Sequence, residues 1–422
     1  MYARFTTFRS YNGLVPAASQ LPPGLETTQG SLQGSMARRG ISGLFLSGIL
    51  MAFLGSILLA WRYHIDPNYL LIGNYFLLQN LGMLLAPVLA APLLRRKGIG
   101  FVMAFACAVA FLAMVLLAAF SPPSPSAWRM GGLFLVGLSA GLLNTSVFHA
   151  ITPVYNLNPA ATLSLAGALY GLGSMACALF VAGTFFAYTV ASVLLILAVV
   201  PALAAIVYYR AKLPEEPVVQ EVTWERALHD FKSPAAILFA LLLFFQSGNE
   251  GALAGWLPLF LTQRLGASPA TSLFLLAVYW FALLIGRVAA QWLLPRVRHA
   301  RLLAGATLAP MFACLVLLST NNLFGATVGV LLAGGGFSVI LPLVVEKIGD
   351  RFPYFHPGFF NGIFSIAMTG SLLAPASLGY LAHFYGVGVV MGLPLAGSIM
   401  VVFLIILILL EARLSSAPKS KT

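Results

Sequence analysis

Charge is the scarcest thing in this chain. Just 8% of its 422 residues are Asp, Glu, Lys or Arg, where a soluble domain carries about 25%, so the chain cannot build a water-facing surface. Cysteine is scarce too. Cys107, Cys177 and Cys314 each fall within an apolar run, with neither CxxC spacing nor a paired His, which supports no disulfide framework and no metal site. A GxxxxGK[ST] loop is missing, which argues against ATP-driven pumping by this chain. The first 38 residues are polar and rich in Gly, Ser and Pro, without the apolar core of a secretory leader. Residues 1–38 are expected to form a disordered tail, with Met36 as an alternative start of translation. No cofactor is implied, and no nucleic-acid partner: the net charge of +12 sits in short connections between apolar runs.

What the chain has in abundance is apolar sequence, 60% of residues with a mean hydropathy of +0.94. Segments that cross lipid must be helices or closed barrels, because backbone groups find no water there. Continuous runs of about 20 residues, rather than alternating strands of about ten, select helices. Twelve runs are bounded by Pro, Gly or charge clusters: 41–61, 69–94, 99–120, 129–151, 162–183, 186–209, 235–261, 269–294, 301–319, 323–346, 358–383 and 387–410. The longest internal polar connection, residues 210–233, carries ten charged residues counting His229. It divides the chain into a six-helix half at 39–209 and another at 234–411, followed by a tail at 412–422.

With the N-terminus inside, nineteen of the 23 Lys and Arg fall in cytoplasmic segments and three, Arg62, Arg129 and Arg264, fall outside. An excess of Lys and Arg marks the cytoplasmic side. Both termini are therefore expected in the cytoplasm, with the protein in the plasma (inner) membrane. Internal similarity supports the division into halves. A shift of 200 brings Ser47, Gly48 and Gly55 onto Ser247, Gly248 and Gly255, and a shift of 204 brings Tyr75 and Gly82 onto Tyr279 and Gly286. A shift of 197 brings Gly132 and Gly137 onto Gly329 and Gly334, and Gly173-Ser174 onto Gly370-Ser371. Six is even, so the two repeats share one orientation and are parallel.

One carboxylate stands near the middle of an apolar run. Glu250 lies within Phe244–Pro258, FFQSGNEGALAGWLP, at a depth where a charge costs roughly 2.5 to 3.5 kcal/mol on insertion scales. Gln246, Asn249 and Glu250 form one polar stripe at helical spacing, which serves either as hydrogen-bonded glue between helices or as a functional site. The first repeat has Leu50 at the matching position, so the acid is an addition to the shared scaffold. No Lys or Arg lies at matching depth along the sequence. That favours a Glu250 carrying the coupling proton over an ionised one binding a cation.

A solute site belongs near the midplane between the halves, with convergent polar groups on an apolar wall. By depth the candidates are Asn74, Gln79, Asn80, Asn144 and Tyr170 in the first half. In the second they are Gln246, Asn249, Trp256, Tyr279, Trp280, Asn361, Ser365 and Thr369. Amides, hydroxyls and rings together suit a neutral hydroxylated solute, although each residue taken singly also fits helix packing. His149 reads as an interfacial histidine rather than a proton relay.

Twelve helices in two parallel six-helix halves, joined by a charged connection, resemble the major facilitator superfamily of secondary transporters. Gly248-Asn249-Glu250, Gly255-Trp256-Leu257-Pro258 and Gln79-Asn80-Leu81-Gly82 are similar to its fucose-permease-like sugar branch. The resemblance implies an all-α integral membrane protein of the major facilitator fold. It also implies a cytoplasmic gate on a basic motif between the second and third helices, with a copy between the eighth and ninth. Gly82 with Arg95, Arg96 and Lys97, and Gly286-Arg287 with Arg296, Arg298 and Arg301, keep the Gly and basic parts of that motif, and its Asp is missing from both. Arg287 reaching Glu346 at the inner end of the tenth helix is the expected substitute, while positive-inside topology explains the clusters equally well.

The resulting expectation is a monomeric secondary transporter in the lipid bilayer. It moves a small solute, sugar-like by resemblance, by alternating access, driven by protons through Glu250. Proton-driven efflux of lipophilic or cationic compounds is the alternative. A sensor or an intramembrane enzyme has less support, because one buried Glu and one marginal His make no catalytic constellation and no soluble sensing domain is expected.

Overall fold

The computed structural model describes residues 40–157, 159–211, 233–293, 296–297, 299–351 and 357–416. The tail at 1–38, most of the 210–233 connection and residues 417–422 lie outside the described residues. Among the described residues the regular elements are all helical: α1 (Gly43–Ala60), a run Tyr69–Ala119, α4 (Ser126–Leu157), α5 (Pro159–Thr184), α6 (Val190–Arg210), α7 (Pro234–Leu265), α8 (Pro269–Leu293), α9 (His299–Ser319), α10 (Leu323–Arg351), α11 (Pro357–Tyr385) and α12 (Val389–Ser416). Gly98 interrupts the long run with φ 78° and ψ 170°, and divides it into α2 (69–97) and α3 (99–119). A side chain at that φ is strained, so the corner between α2 and α3 depends on glycine. Twelve helices result among the described residues, each close to a run read from the sequence. Ten described stretches are long and apolar enough to cross a membrane, the Tyr69–Ala119 run counting once.

Local chemistry sets several ends. Asn68 accepts from the Leu71 N–H at 3.0 Å where α2 begins, and Thr189 accepts from Ser192 at 3.3 Å where α6 begins. Pro234 opens α7, where a missing N–H costs nothing, and Gly266, left-handed at φ 64°, closes it. Leu203, Phe312 and Phe403 are more than half exposed on the outside of the bundle, where lipid replaces water. Successive helices alternate direction. One face of the bundle therefore carries Arg95, Arg96, Lys97, Arg210 and Arg296, and is called the basic face below; the opposite face carries residues 61–68, 266–268 and 386–388.

The repeat in the sequence reappears as packing. Gly48 of α1 lies against the Tyr170 carbonyl of α5, and Gly173 of α5 against Phe45 of α1; in the second half Gly248 of α7 lies against Gly370 of α11, and Gly370 against Phe244. Gly132 meets Leu117 between α4 and α3 as Gly329 meets Leu317 between α10 and α9. Gly82 closes α2 on α4 and Gly286 closes α8 on α10, against Leu138 and Ser338 respectively. At each of these positions but Gly248 a Cβ would lie under 3.0 Å from a neighbouring atom, and close helix packing in lipid rewards such residues. Glycine survives as the mark of the repeat for that reason.

Toward the opposite face the halves are closed on each other. Gly73 of α2 meets Gly379 of α11, and Gly55 of α1 meets Gly255 of α7. Phe76 stacks on Trp256 with ring centroids 5.8 Å apart. Tyr380 donates to Asn74 Oδ1 at 2.5 Å, and Gln263 Nε2 donates to the His64 carbonyl at 2.5 Å.

Candidate solute and ion site

Glu250 sits where four helices converge. One turn earlier on α7, Gln246 Nε2 donates to Glu250 Oε1 at 3.0 Å and to the Phe337 carbonyl of α10 at 3.4 Å. From α8, Arg287 places Nη2 3.5 Å from Glu250 Oε2, in an ion pair whose side chains are 9% and 19% exposed respectively. Its Nη1 donates at 2.7 Å to the Gly167 carbonyl of α5. One guanidinium thus ties a carboxylate of the second half to the backbone of the first. A Cβ on Gly167 would lie 2.5 Å from Nη1 of Arg287, so a side chain there would displace the guanidinium.

This pair corrects the expectation that no base neutralises Glu250. Along the sequence Arg287 belongs to the basic end of α8, well away from the middle of α7. Side chains on a helix lean toward its N-terminus. Helix α7 starts at the basic face and α8 at the opposite one, so Glu250 and Arg287 lean toward each other and meet between. The expected partner Glu346 has a side chain outside the described residues.

Around the pair stand Tyr279 and Trp280 of α8 and Tyr170 of α5, with Trp280 edge-on to Tyr170 at 5.9 Å. Three buried polar atoms here have no hydrogen-bond partner among the described residues: Gln246 Oε1, the Tyr279 hydroxyl and Trp280 Nε1. Buried polar atoms are nearly always paired, so three orphans beside one ion pair mark groups that a ligand can satisfy. The repeat sharpens the contrast. Tyr75, the counterpart of Tyr279, bonds to Tyr63 at 2.9 Å and to Arg129 at 2.8 Å. The shifts of 200 and 204 put Leu50 and Met83 at the positions of Glu250 and Arg287, so both charges are additions to the scaffold.

Other candidates from the sequence make hydrogen bonds elsewhere in the bundle. Asn249 turns away from Glu250 to α12, with Nδ2 3.4 Å from Ser398 Oγ. Asn144 accepts from Ser47 at 2.6 Å, Gln79 donates to the Leu50 carbonyl at 3.2 Å, and Asn80 donates to the Leu372 carbonyl across the halves. Trp256 donates to the Pro375 carbonyl at 2.8 Å within the closed region, and Thr369 donates to Ile366 of its own helix. Asn74 joins the closed face, as above. His149 Nδ1 lies 2.8 Å from the Thr145 carbonyl one turn back. Gly82 and Gly286 are packing contacts, and Arg95 and Arg96 are exposed at the basic face. The side chains of Asn361 and Ser365 lie outside the described residues. Sequence reasoning missed Arg287 as the partner of Glu250. The opposed helix directions and the N-terminal lean of side chains are the signal that finds it.

Residues 40–375 match the Major Facilitator Superfamily. The chain belongs to this superfamily. It is therefore a transporter of the membrane and not an enzyme. An uncharacterized MFS-type transporter of Yersinia pestis is 22% identical over 354 residues, covering 82% of this chain and 89% of that one. The nucleoside transporter NupG, solved as a point mutant, superposes with a TM-score of 0.67 at 12% identity, over 90% of this chain and 99% of that one. The Escherichia coli fucose:proton symporter FucP gives 0.60 at 15% identity, over 88% and 98%. Both share the fold, an all-α membrane bundle of two parallel six-helix halves.

Proposed function

We propose that this transporter carries a small hydroxylated, sugar-like solute by alternating access, in symport with a proton held by Glu250. The observation that carries the reading is the site itself. An ion pair at mid-depth between the halves is ringed by two aromatic side chains of α8, one of α5 and three unpartnered polar atoms. The aromatic faces suit the apolar side of a sugar ring, while Gln246 Oε1, the Tyr279 hydroxyl and Trp280 Nε1 match hydroxyl groups. A fucose:proton symporter and a nucleoside transporter share the fold, and fucose and nucleosides are both hydroxylated, which favours the same class here. Arg287 couples the site to the halves. Movement of α5 against α8 pulls the guanidinium from the carboxylate, and the carboxylate then holds a proton in its place. The basic face is placed in the cytoplasm of the plasma membrane on the positive-inside rule, which makes the closed face the outer one, and the protein acts as a monomer. The rival reading, proton-driven efflux of lipophilic or cationic compounds, rests on the aromatic content and on an unneutralised acid, and the Arg287 pair takes away the second of these supports.

Uptake by proteoliposomes under an imposed pH gradient tests the reading, with a panel of neutral sugars, sugar acids and lipophilic cations presented to wild type and Glu250→Gln. Wild type is expected to accumulate a sugar-like solute and the variant only to equilibrate it. Full gradient-driven accumulation by Glu250→Gln would remove the proton role. Movement of lipophilic cations alone would remove the solute class.

A further inference from the structure

The charge balance of the site says more about the solute. With Glu250 ionised, Glu250 and Arg287 sum to zero. Adding a proton to Glu250 breaks no covalent bond, but it leaves the Arg287 guanidinium with the Gly167 carbonyl as its remaining described acceptor. A buried cation stripped of its counter-ion costs several kcal/mol. A neutral sugar cannot supply the missing charge, and a cationic solute adds to the deficit. A monoanion restores it.

We propose that the transported solute is a hydroxylated carboxylic acid, whose carboxylate replaces that of Glu250 at Arg287 while Glu250 holds the proton. The inference rests on Glu250 as the proton site and replaces the neutral solute expected from residue types alone. Geometry supplies the rest of the recognition. Trp280 lies seven residues, about two helical turns, before Arg287 on α8, so both stand on one side of that helix. Trp280 Nε1 and the Tyr279 hydroxyl are buried without partners among the described residues and can donate, and Gln246 Oε1 can accept. A guanidinium fork binds a carboxylate in two parallel bonds, while these three atoms take hydroxyls on the adjoining carbons. The charged and titratable groups that bear on Glu250 among the described residues are Arg287 and Tyr279 of α8 and Tyr170 of α5, with Cys314 of α9 behind Tyr279. Packed α10 contributes the Phe337 carbonyl by way of Gln246, and α12 draws Asn249 away with Ser398. Arg287 is thus the cation that proton loading leaves exposed.

Two consequences follow. Proton and anion cross together, so the cargo is electroneutral and its flux is indifferent to membrane potential. The proton and the anion also strengthen each other's binding by the same factor, as linkage requires.

The test uses full-length protein in proteoliposomes loaded with a pH-reporting dye. Glucuronate, gluconate and lactate are added, beside glucose and fucose as neutral probes, with the potential clamped at zero or at an inside-negative value. We expect glucuronate or gluconate to acidify the lumen, with lactate weaker and both neutral sugars silent. The rate should change less than twofold with potential. Arg287→Gln should abolish the signal and Arg287→Lys lower it at least tenfold. Glu250→Gln should stop acidification while keeping exchange of labelled anion against unlabelled anion. Should Arg287→Gln fail to remain monodisperse, Arg287→Lys and the wild-type probe panel decide alone. Acidification by a neutral sugar with the carboxylates silent, lost in Glu250→Gln, overturns the anion proposal and keeps the proton reading. Acidification by carboxylates that persists in Glu250→Gln overturns both. Silence from all three carboxylates, or a rate that follows the potential, also overturns the proposal.

Discussion

Gly73 of α2 and Gly379 of α11 touch backbone to backbone across the two halves, with the Tyr69 carbonyl beside Gly379 and the Ala376 carbonyl beside Gly73. A Cβ on Gly379 would lie under 3.0 Å from the Gly73 Cα, and one on Gly73 would lie 3.0 Å from the Ala376 carbonyl; one turn of sequence around them also holds the Asn74–Tyr380 hydrogen bond. The closed state of the opposite face therefore depends on two hydrogens where other residues have methyl groups.

Gly379→Val should wedge α2 from α11 and open that face. Overpacking costs about 1 to 3 kcal/mol, which converts to a population change of about five- to 150-fold. Spin labels on exposed Ile65 and Ser268, one in each half, provide the distance. The variant is expected to populate a longer Ile65–Ser268 separation than wild type. An unchanged distance distribution in a folded Gly379→Val protein would show that the contact does not hold the face shut.

The Glu250–Arg287 pair should appear in a double-mutant cycle. Removing one partner of a buried pair leaves a lone charge and costs about 3 kcal/mol, while removing both costs far less than the sum. Thermal unfolding in detergent of Glu250→Gln, Arg287→Gln and the double variant gives the coupling, expected at about 1 to 3 kcal/mol. Additive losses would mean that the 3.5 Å contact contributes nothing.

The sequence makes the fold legible because lipid leaves few choices. Long apolar runs have to be helices, and Gly48, Gly132 and Gly286 recur at the shifts where the structure packs α1 on α5, α3 on α4 and α8 on α10. The candidate site is legible only in part. Glu250, Gln246, Tyr279, Trp280 and Tyr170 do come together, since charge and ring content at mid-depth have few structural uses. Asn249 shows the limit: it sits beside Glu250 in sequence, but 100° of helical turn points it at α12. Arg287 shows the other limit, because a long side chain acts about a turn away from its own Cα.

Arg129 also lies outside what loop counting reveals. Counted as a charge of an outer connection, it is 6% exposed in the first turn of α4. It donates to Tyr75, Ser124 and Phe120, and its guanidinium lies 5.9 Å from the rings of Trp61 and Tyr75. The Phe120 and Ser124 carbonyls belong to the chain just after α3, so this cation closes the end of one helix while bracing α1 and α2. Arg129→Met should lower stability by about 3 kcal/mol through unpaired buried oxygens, with Arg129→Lys between the two because it lacks the fork. A melting temperature for each variant, set beside the KM for uptake, checks this role. A normal melting temperature with a raised KM would move Arg129 into solute binding.

Sidedness decides what the closed face means. The three cysteines are buried, so wild type is a quiet background for thiol labelling. Ile65→Cys on the opposite face and Lys97→Cys on the basic face place single thiols at exposed positions. With the basic face in the cytoplasm, an impermeant maleimide added to intact cells should label Ile65→Cys, and should label Lys97→Cys only after permeabilisation. On that outcome the Gly73–Gly379 contact is an outer gate. The reverse pattern would overturn the positive-inside assignment and make the same contact an inner gate.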